Sequence, residues 1–150
     1  MYYPYFQISK KSGYAIRALF ELALSGGNEP VNVRTLAGSQ GIPTRFLEII
    51  LNELRQGGFV ISIRGKAGGY LLSRNAVDIT IGQIIQFLDQ HSSSGNGSTG
   101  FGPHHGDFIL PSVLNKINRS ISDVCDETTL EDMVDEHMKN QEAFTSNYMI

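Results

Sequence analysis

Arg64-Gly65-Lys66-Ala67-Gly68-Gly69-Tyr70 joins one β-rich run, Phe59 to Ile63, to another, Tyr70 to Leu72. Its three glycines supply the positive φ angles and close backbone approach that a tight, twisted hairpin needs. Arg64 and Lys66 then stand where the hairpin tip is most exposed, placed to press against something negatively charged. Taken alone, the same stretch also suits an ordinary surface hairpin with incidental charge.

The residues upstream narrow the choice. Pro43 to Gln56 is predicted as a helix, because Leu47, Ile50, Leu51 and Leu54 recur at the three- and four-residue spacing of one buried stripe. Arg45, Glu48, Asn52 and Arg55 lie along the opposite, polar face. Pro43 suits the first helical position and Gly57-Gly58 the stop. Before it, Asn32 is placed to cap a short helix with Val33, Leu36 and Ala37 on one side, and Ser39-Gln40-Gly41 turns the chain. Helix, turn, helix and two-stranded wing is the winged form of the helix-turn-helix, whose second helix enters the major groove of double-stranded DNA while the wing tip lies on the phosphates.

The distribution of charge points the same way. Residues 1–75 carry nine Lys/Arg against four Asp/Glu, a net +5, whereas residues 76–150 carry three against eleven, a net −8, which together make the −3 of the whole chain. The overall sign would argue against a polyanionic partner, but the asymmetry between halves is the meaningful quantity, and the basic half holds the reading head. A hydrophobic content of 41% is that of a chain able to bury one core. No apolar run approaches the ~18–20 residues of a membrane span, and Met1-Tyr2-Tyr3-Pro4 lacks the regions of a signal peptide, so a cytoplasmic protein is expected. One cysteine, Cys125, forbids an intramolecular disulfide and agrees with a reducing compartment.

The remaining segments divide the chain into a winged helix-turn-helix domain, 1–77, and a helical dimerisation and effector region, 78–150. A first helix over 8–25 is predicted from Ser9 as cap and an apolar face of Tyr14, Ala15, Ala18, Leu19 and Leu22. Thr80-Ile81-Gly82-Gln83 is a capping box at the head of a helix whose stripe is Ile81, Ile84, Ile85 and Leu88. Residues 91–107, HSSSGNGSTGFGPHHGD, hold too little apolar side chain to offset the entropy of ordering them, and are expected to form a flexible loop. Leu110, Val113, Leu114, Ile117, Ile121 and Val124 then follow at nearly coiled-coil spacing. A stripe so long needs a partner: either the chain's own first helix or, as expected here, the same stripe of a second copy in a homodimer. Thr128-Thr129-Leu130-Glu131 offers a further capping box, opening a last helix with Leu130, Met133 and Val134 on one side. The expected fold is therefore mainly α, a winged helix-turn-helix with a small two-stranded wing and a long C-terminal dimerisation helix.

Signals for catalysis are absent: no phosphate loop, nucleophile elbow or metal-spaced cluster of His, Asp and Glu occurs. The chain is not expected to be an enzyme. Cys125 beside the apolar stripe reads first as a small buried hydrophobe, and His91, His104 and His105 as polar filler in a glycine-rich loop. Redox sensing through Cys125, metal sensing through His104 and His105, and a winged-helix module that binds proteins instead of DNA are the alternatives.

With these residues in place, the chain resembles the Rrf-two (Rrf2) family of small winged-helix regulators. The resemblance runs from Ile8 to Met133 through Ile8-Ser9 with Lys11, Tyr14-Ala15, Arg17-Ala18-Leu19, Leu36-Ala37, Phe46-Leu47-Glu48 with Leu54-Arg55, Ile63-Arg64-Gly65 with Gly68-Gly69-Tyr70, Ile79-Thr80, and Thr129-Leu130-Glu131-Asp132. It implies a dimeric transcription factor, a repressor, with DNA contacts from Thr44 and Arg45 at the start of the recognition helix and from Arg64 in the wing. Arg45 is suited to a base edge or phosphate, Lys66 to a phosphate, and Glu48 to holding an arginine or accepting from cytosine. The backbone N–H groups of Gly65, Gly68 and Gly69 are placed for phosphate oxygens, and Lys10, Lys11, Arg34, Arg55 and Tyr70 complete the expected DNA face.

Two departures from the family pattern stand out. Gly13 replaces an arginine that usually precedes the tyrosine of the first helix, and the loop lacks the three cysteines by which many members hold an iron–sulfur cluster. A cluster needs several thiolates, so no cofactor is expected. The cluster-free loop and the Gln141-Glu142-Ala143-Phe144 tail resemble the cysteine-metabolism branch of the family. That branch implies a cysteine synthase as partner, docked by Tyr148, Met149 and Ile150, with the terminal carboxylate captured by backbone N–H groups.

Overall fold

Ser9 opens the first helix: its hydroxyl accepts the Ser12 N–H at 3.1 Å, capping α1 (Lys10–Leu24). The computed structural model describes residues 8–89 and 109–149, with the Tyr148 side chain excepted, so the expected loop at 91–107 with its three histidines, and Ile150, lie outside the described residues. Ala15, Ile16, Ala18, Leu19 and Leu22 of α1 are buried. Asn32 caps α2 (Val33–Gln40), its Oδ1 accepting the Thr35 N–H at 2.8 Å.

The next helix, α3 (Thr44–Gln56), starts one residue later than its sequence suggests. Pro43 stands just outside it, with ψ at 125°, and its carbonyl accepts the N–H groups of Phe46 and Leu47 at 3.0 Å. Proline's fixed φ serves this flanking position as well as the first helical one. Leu47, Ile50, Leu51 and Leu54 are completely buried, as the stripe requires. Strands β1 (Val60–Ile63) and β2 (Gly69–Leu72) pair antiparallel, Val60 opposite Leu72 and Ile63 opposite Gly69.

A short 3₁₀ turn at Ala76–Asp78 leads to α4 (Ile81–Asp89). Its capping box is formed: the Thr80 N–H donates to Gln83 Oε1 at 3.3 Å and the Gln83 N–H to Thr80 Oγ1 at 3.2 Å. Two helices of equal length, α5 (Ile109–Glu127) and α6 (Leu130–Tyr148), complete the described chain. The capping box of α6 lies one residue beyond the expected one and pairs Thr129 with Asp132 instead of Thr128 with Glu131. Thr128 is already committed elsewhere: its hydroxyl donates to the Val124 carbonyl at 2.7 Å, closing α5, and its own carbonyl accepts the Ile81 N–H at 2.9 Å. Phe144, expected beyond the last helix, lies within it.

One core joins these elements. It gathers α1, α2 and α3, Phe59 and Val60, Ile79, Ile84 and Leu88 of α4, and Leu130 at the head of α6. The Leu130 N–H donates to the Ile79 carbonyl at 2.9 Å, and Thr80 and Thr129 form an antiparallel bridge, so the α5–α6 junction is hydrogen-bonded to the chain entering α4. Of the last two helices it is α6 that packs on α1, alongside α4, through contacts that include Phe20 edge-on to His137 at 5.5 Å, while α5 lies against α4. None of the residues of α5 is buried.

Candidate nucleic-acid interface

The polar face of α3 is open to solvent: Arg45, Glu48, Asn52 and Arg55 are all exposed, and Thr44 in the first turn is half-buried. Arg55 donates through Nη2 to Asn52 Oδ1 at 2.9 Å, which ties two of these side chains together. Arg34 on α2 and Lys10 at the start of α1 are exposed as well. Lys11 is half-buried, and its Nζ lies 2.5 Å from Glu53 Oε2, an ion pair that spans from α1 to the flank of α3. Part of its charge is therefore already answered.

The turn between β1 and β2 carries Arg64 and Lys66, both exposed. Of its glycines only Gly65 takes a positive φ, 113°, so the expectation of left-handed backbone holds there and not at Gly68 or Gly69. Those two positions are short of room instead. A Cβ on Gly68 would meet the Ile63 and Gly65 carbonyls, and one on Gly69 would run into the Val31 backbone and lie 2.7 Å from the Asn32 nitrogen. At Gly68 the crowding comes from the turn itself; at Gly69 the cause is a third extended segment, for Val31 and Tyr70 exchange both backbone hydrogen bonds, at 3.0 and 2.8 Å, which fastens β2 to the residue preceding the cap of α2. Tyr70 packs its half-buried side chain against the core, so the outward charge of the wing falls to Arg64 and Lys66.

Two further features belong to this face, and the first leaves no trace in the spacing of the sequence. Arg17 donates through Nε to Gln40 Oε1 at 3.1 Å and through Nη2 to the Gln40 carbonyl, while Gln40 Nε2 donates to Glu21 Oε2 at 2.7 Å. This chain fixes the end of α2, and with it the turn into α3, against α1. Phe46 and Ile49 are also exposed on α3, at 39% and 55%, although both lie off the buried stripe. Phe46 meets Tyr14 edge-on at 5.7 Å. The signal for Ile49 was present in the sequence, as an apolar residue among the polar positions of an amphipathic helix.

The expected self-association stripe is equally open. Leu110, Val113, Ile117 and Val124 are exposed and Leu114 and Ile121 half-buried. Between α4 and α5 lies a cavity of about 210 Å³ lined by Ile85, Ile121, Cys125 and Asp126 among others. Burial, and secondarily the Asp126 carboxylate, push the Cys125 thiol above its ordinary pKa. Its proton is held more tightly, the opposite of what an activated thiolate or a metal ligand requires. Among the described residues no group of three His, Cys, Asp or Glu is placed to hold a metal ion, and no helix is long and apolar enough to cross a membrane.

Comparison with known proteins places this geometry in context. Residues 8–136 match the model of the Rrf2 family, described as an iron-dependent transcriptional regulator. The HTH-type transcriptional regulator IscR of Pectobacterium carotovorum is 31% identical over 129 residues, covering 85% of this chain and 79% of the relative. Among solved structures, IscR of T. potens superposes with a TM-score of 0.74 at 35% identity, covering 91% of this chain and 92% of that one. CymR, the global cysteine regulator of B. subtilis, superposes with a TM-score of 0.71 at 30% identity, covering 87% and 98%.

Proposed function

The chain belongs to the Rrf2 family of transcriptional regulators, not enzymes, and from that premise we propose that it is a homodimeric repressor that binds a pseudo-palindromic DNA operator without an iron–sulfur cluster. The observation that carries the reading is the pairing of an open polar face on α3 with a wing whose exposed turn holds Arg64 and Lys66. Helix and wing divide the work that DNA recognition requires. Arg45 and Glu48 face the base edges, which carry the sequence, and the wing cations with Lys10 and Arg34 meet phosphates, which fix register.

Dimerisation is supported by the open stripe of α5, whose residues from Leu110 to Val124 expose apolar surface that a second copy would cover. Two heads spaced one helical turn apart then match a two-fold operator. The residues present do not suit a cluster, since the chain has one cysteine and its thiol is held protonated within helix α5. Lacking the ligands, the effector step is assigned to a different signal, and the likeness to CymR supports control of cysteine or sulfur metabolism. In this reading a cysteine synthase docks on the tail, where Met149 is 83% exposed at the end of α6.

Selection of bound fragments from random duplex DNA, followed by titration at several salt concentrations, tests the core of the proposal. Enrichment of a two-fold sequence and an affinity that falls steeply with salt are expected, because each phosphate contact releases counterions. Salt-independent binding, or no binding, would leave a protein-interaction module. Titrating a cysteine synthase with the full chain and with a variant ending at Tyr148 tests the tail, and equal binding by the two removes that partner.

A further inference from the structure

We propose that Ile49 is a specificity-determining residue that packs against the C5-methyl group of a thymine in the major groove. This rests on the DNA-binding reading above and adds to it a base that the polar side chains of α3 do not select. Ile49 is 55% exposed, away from the stripe of Leu47, Ile50, Leu51 and Leu54 that fills the core. On the helix surface its neighbours are the exposed Arg45 and Asn52 on one side and Phe46 and the half-buried Glu53 on the other, so it borders the polar face and stands clear of the buried stripe. Phe46, the other exposed apolar residue of α3, has its ring engaged by Tyr14. A β-branched residue also gains nothing here as a helix former, since its side chain loses rotamer freedom against the preceding turn.

The occupant follows from what a major groove presents. Its floor offers hydrogen-bond donors and acceptors, and one apolar projection, the thymine methyl. An aliphatic side chain flanked by Arg45 and Asn52 therefore has one complementary group within reach when its polar neighbours contact adjacent base edges. The surrounding half of the chain carries a net charge of +5, which favours a polyanion over a neutral apolar protein surface on this face.

The test uses duplexes selected by the full-length protein, in which each thymine is replaced singly by deoxyuridine, removing the methyl and leaving base pairing intact. Affinity should fall about four-fold at one or two fixed thymines, the effect expected for losing one buried methyl group. Ile49→Ala should bind the unmodified duplex correspondingly less well and show no further loss on deoxyuridine, with its salt dependence unchanged because Ile49 meets no phosphate. Selected sites without a fixed thymine, deoxyuridine duplexes bound as well as thymine ones, or a variant that keeps the deoxyuridine penalty would overturn the assignment while leaving DNA binding intact. Failure to bind any duplex would instead overturn the DNA-binding reading, and this inference with it.

Discussion

Arg64, Lys66 and Arg45 share a sign but not a setting, and the difference predicts distinct losses. Arg64→Ala or Lys66→Ala, at the exposed turn of the wing, should weaken binding to all sequences alike and reduce the steepness of the salt dependence. Arg45→Ala, on α3, should in addition relax sequence preference, at a cost of roughly 1–3 kcal/mol for a bidentate base contact. Fluorescence titration against selected and scrambled duplexes separates the two patterns, and unchanged affinity in all three variants would refute the docking. Gly69 makes a sharper demand on the fold. Its Cβ would occupy the space of the Val31 backbone, so Gly69→Ala should force the wing away from the head of α2, costing about 1–3 kcal/mol by overpacking, read as a lowered melting temperature. At this scale the sequence was half legible. A run of glycines with two cations announces a hairpin, but the reason for Gly69 is the backbone of Val31, a neighbour brought near only by folding. The clamp of Arg17 on Gln40 was hidden for the same reason.

Helix ends were the best-marked elements in the chain, because a cap is a local hydrogen bond between neighbours in sequence. Ser9, Asn32 and the Thr80–Gln83 pair all cap as their spacing indicates. The box of α6 slipped by one residue because two adjacent threonines compete, and tertiary bonds at Thr128 decided between them. Thr129 donates both its N–H and its hydroxyl to Asp132 Oδ2, at 2.8 and 2.9 Å. The backbone bond first, then the hydroxyl, hold the Asp132 carboxyl below the ordinary carboxylate range. A carboxylate whose folded pKa is depressed contributes stability at neutral pH, which is lost as pH falls through that folded value. Thr129→Ala should cost about 1 kcal/mol, the usual loss of a threonine cap, and should flatten the acid sensitivity of helix content measured by circular dichroism between pH 5 and 2. Because the backbone N–H of residue 129 still donates in Thr129→Ala, Asp132→Asn is the decisive variant, and an unaltered acid profile in it would show that this carboxylate is not the source. Capping signals, however, say nothing about what a helix packs against. The stripe of α5 announced a partner without naming it, and the pairing of α1 with α6 depends on contacts such as Phe20 with His137, which no periodicity links.

For the whole molecule, the proposed dimer makes α5 the decisive surface. Replacing Ile117 and Ile121 together with Asp would put two charges into the covered seam, a desolvation cost large enough to dissociate it. Ile117 is exposed and Ile121 only half-buried against α4 in the single chain, so the variant should stay folded and sediment as a monomer with reduced operator affinity, circular dichroism checking that its helix content is kept. A variant that remains dimeric would move the interface elsewhere. The wild-type protein should be colourless after anaerobic reconstitution with iron and sulfide, and a brown protein with stoichiometric iron would refute the cluster-free proposal. The hydrogen-bonded junction at Thr128 to Leu130 then acquires a mechanical meaning. It is a fulcrum seated on the reading head, from which α5 extends as a lever arm of 19 residues, about 28 Å at the rise of an α-helix. A tilt of about 10° at that pivot would carry the far end through roughly 5 Å, more than the ~3.4 Å between stacked base pairs. In the proposed dimer, with two such arms back to back, the separation of the heads would become a magnified record of the angle at which each α5 meets its pivot, so a slight turn of the arm would set whether both heads reach the same face of DNA.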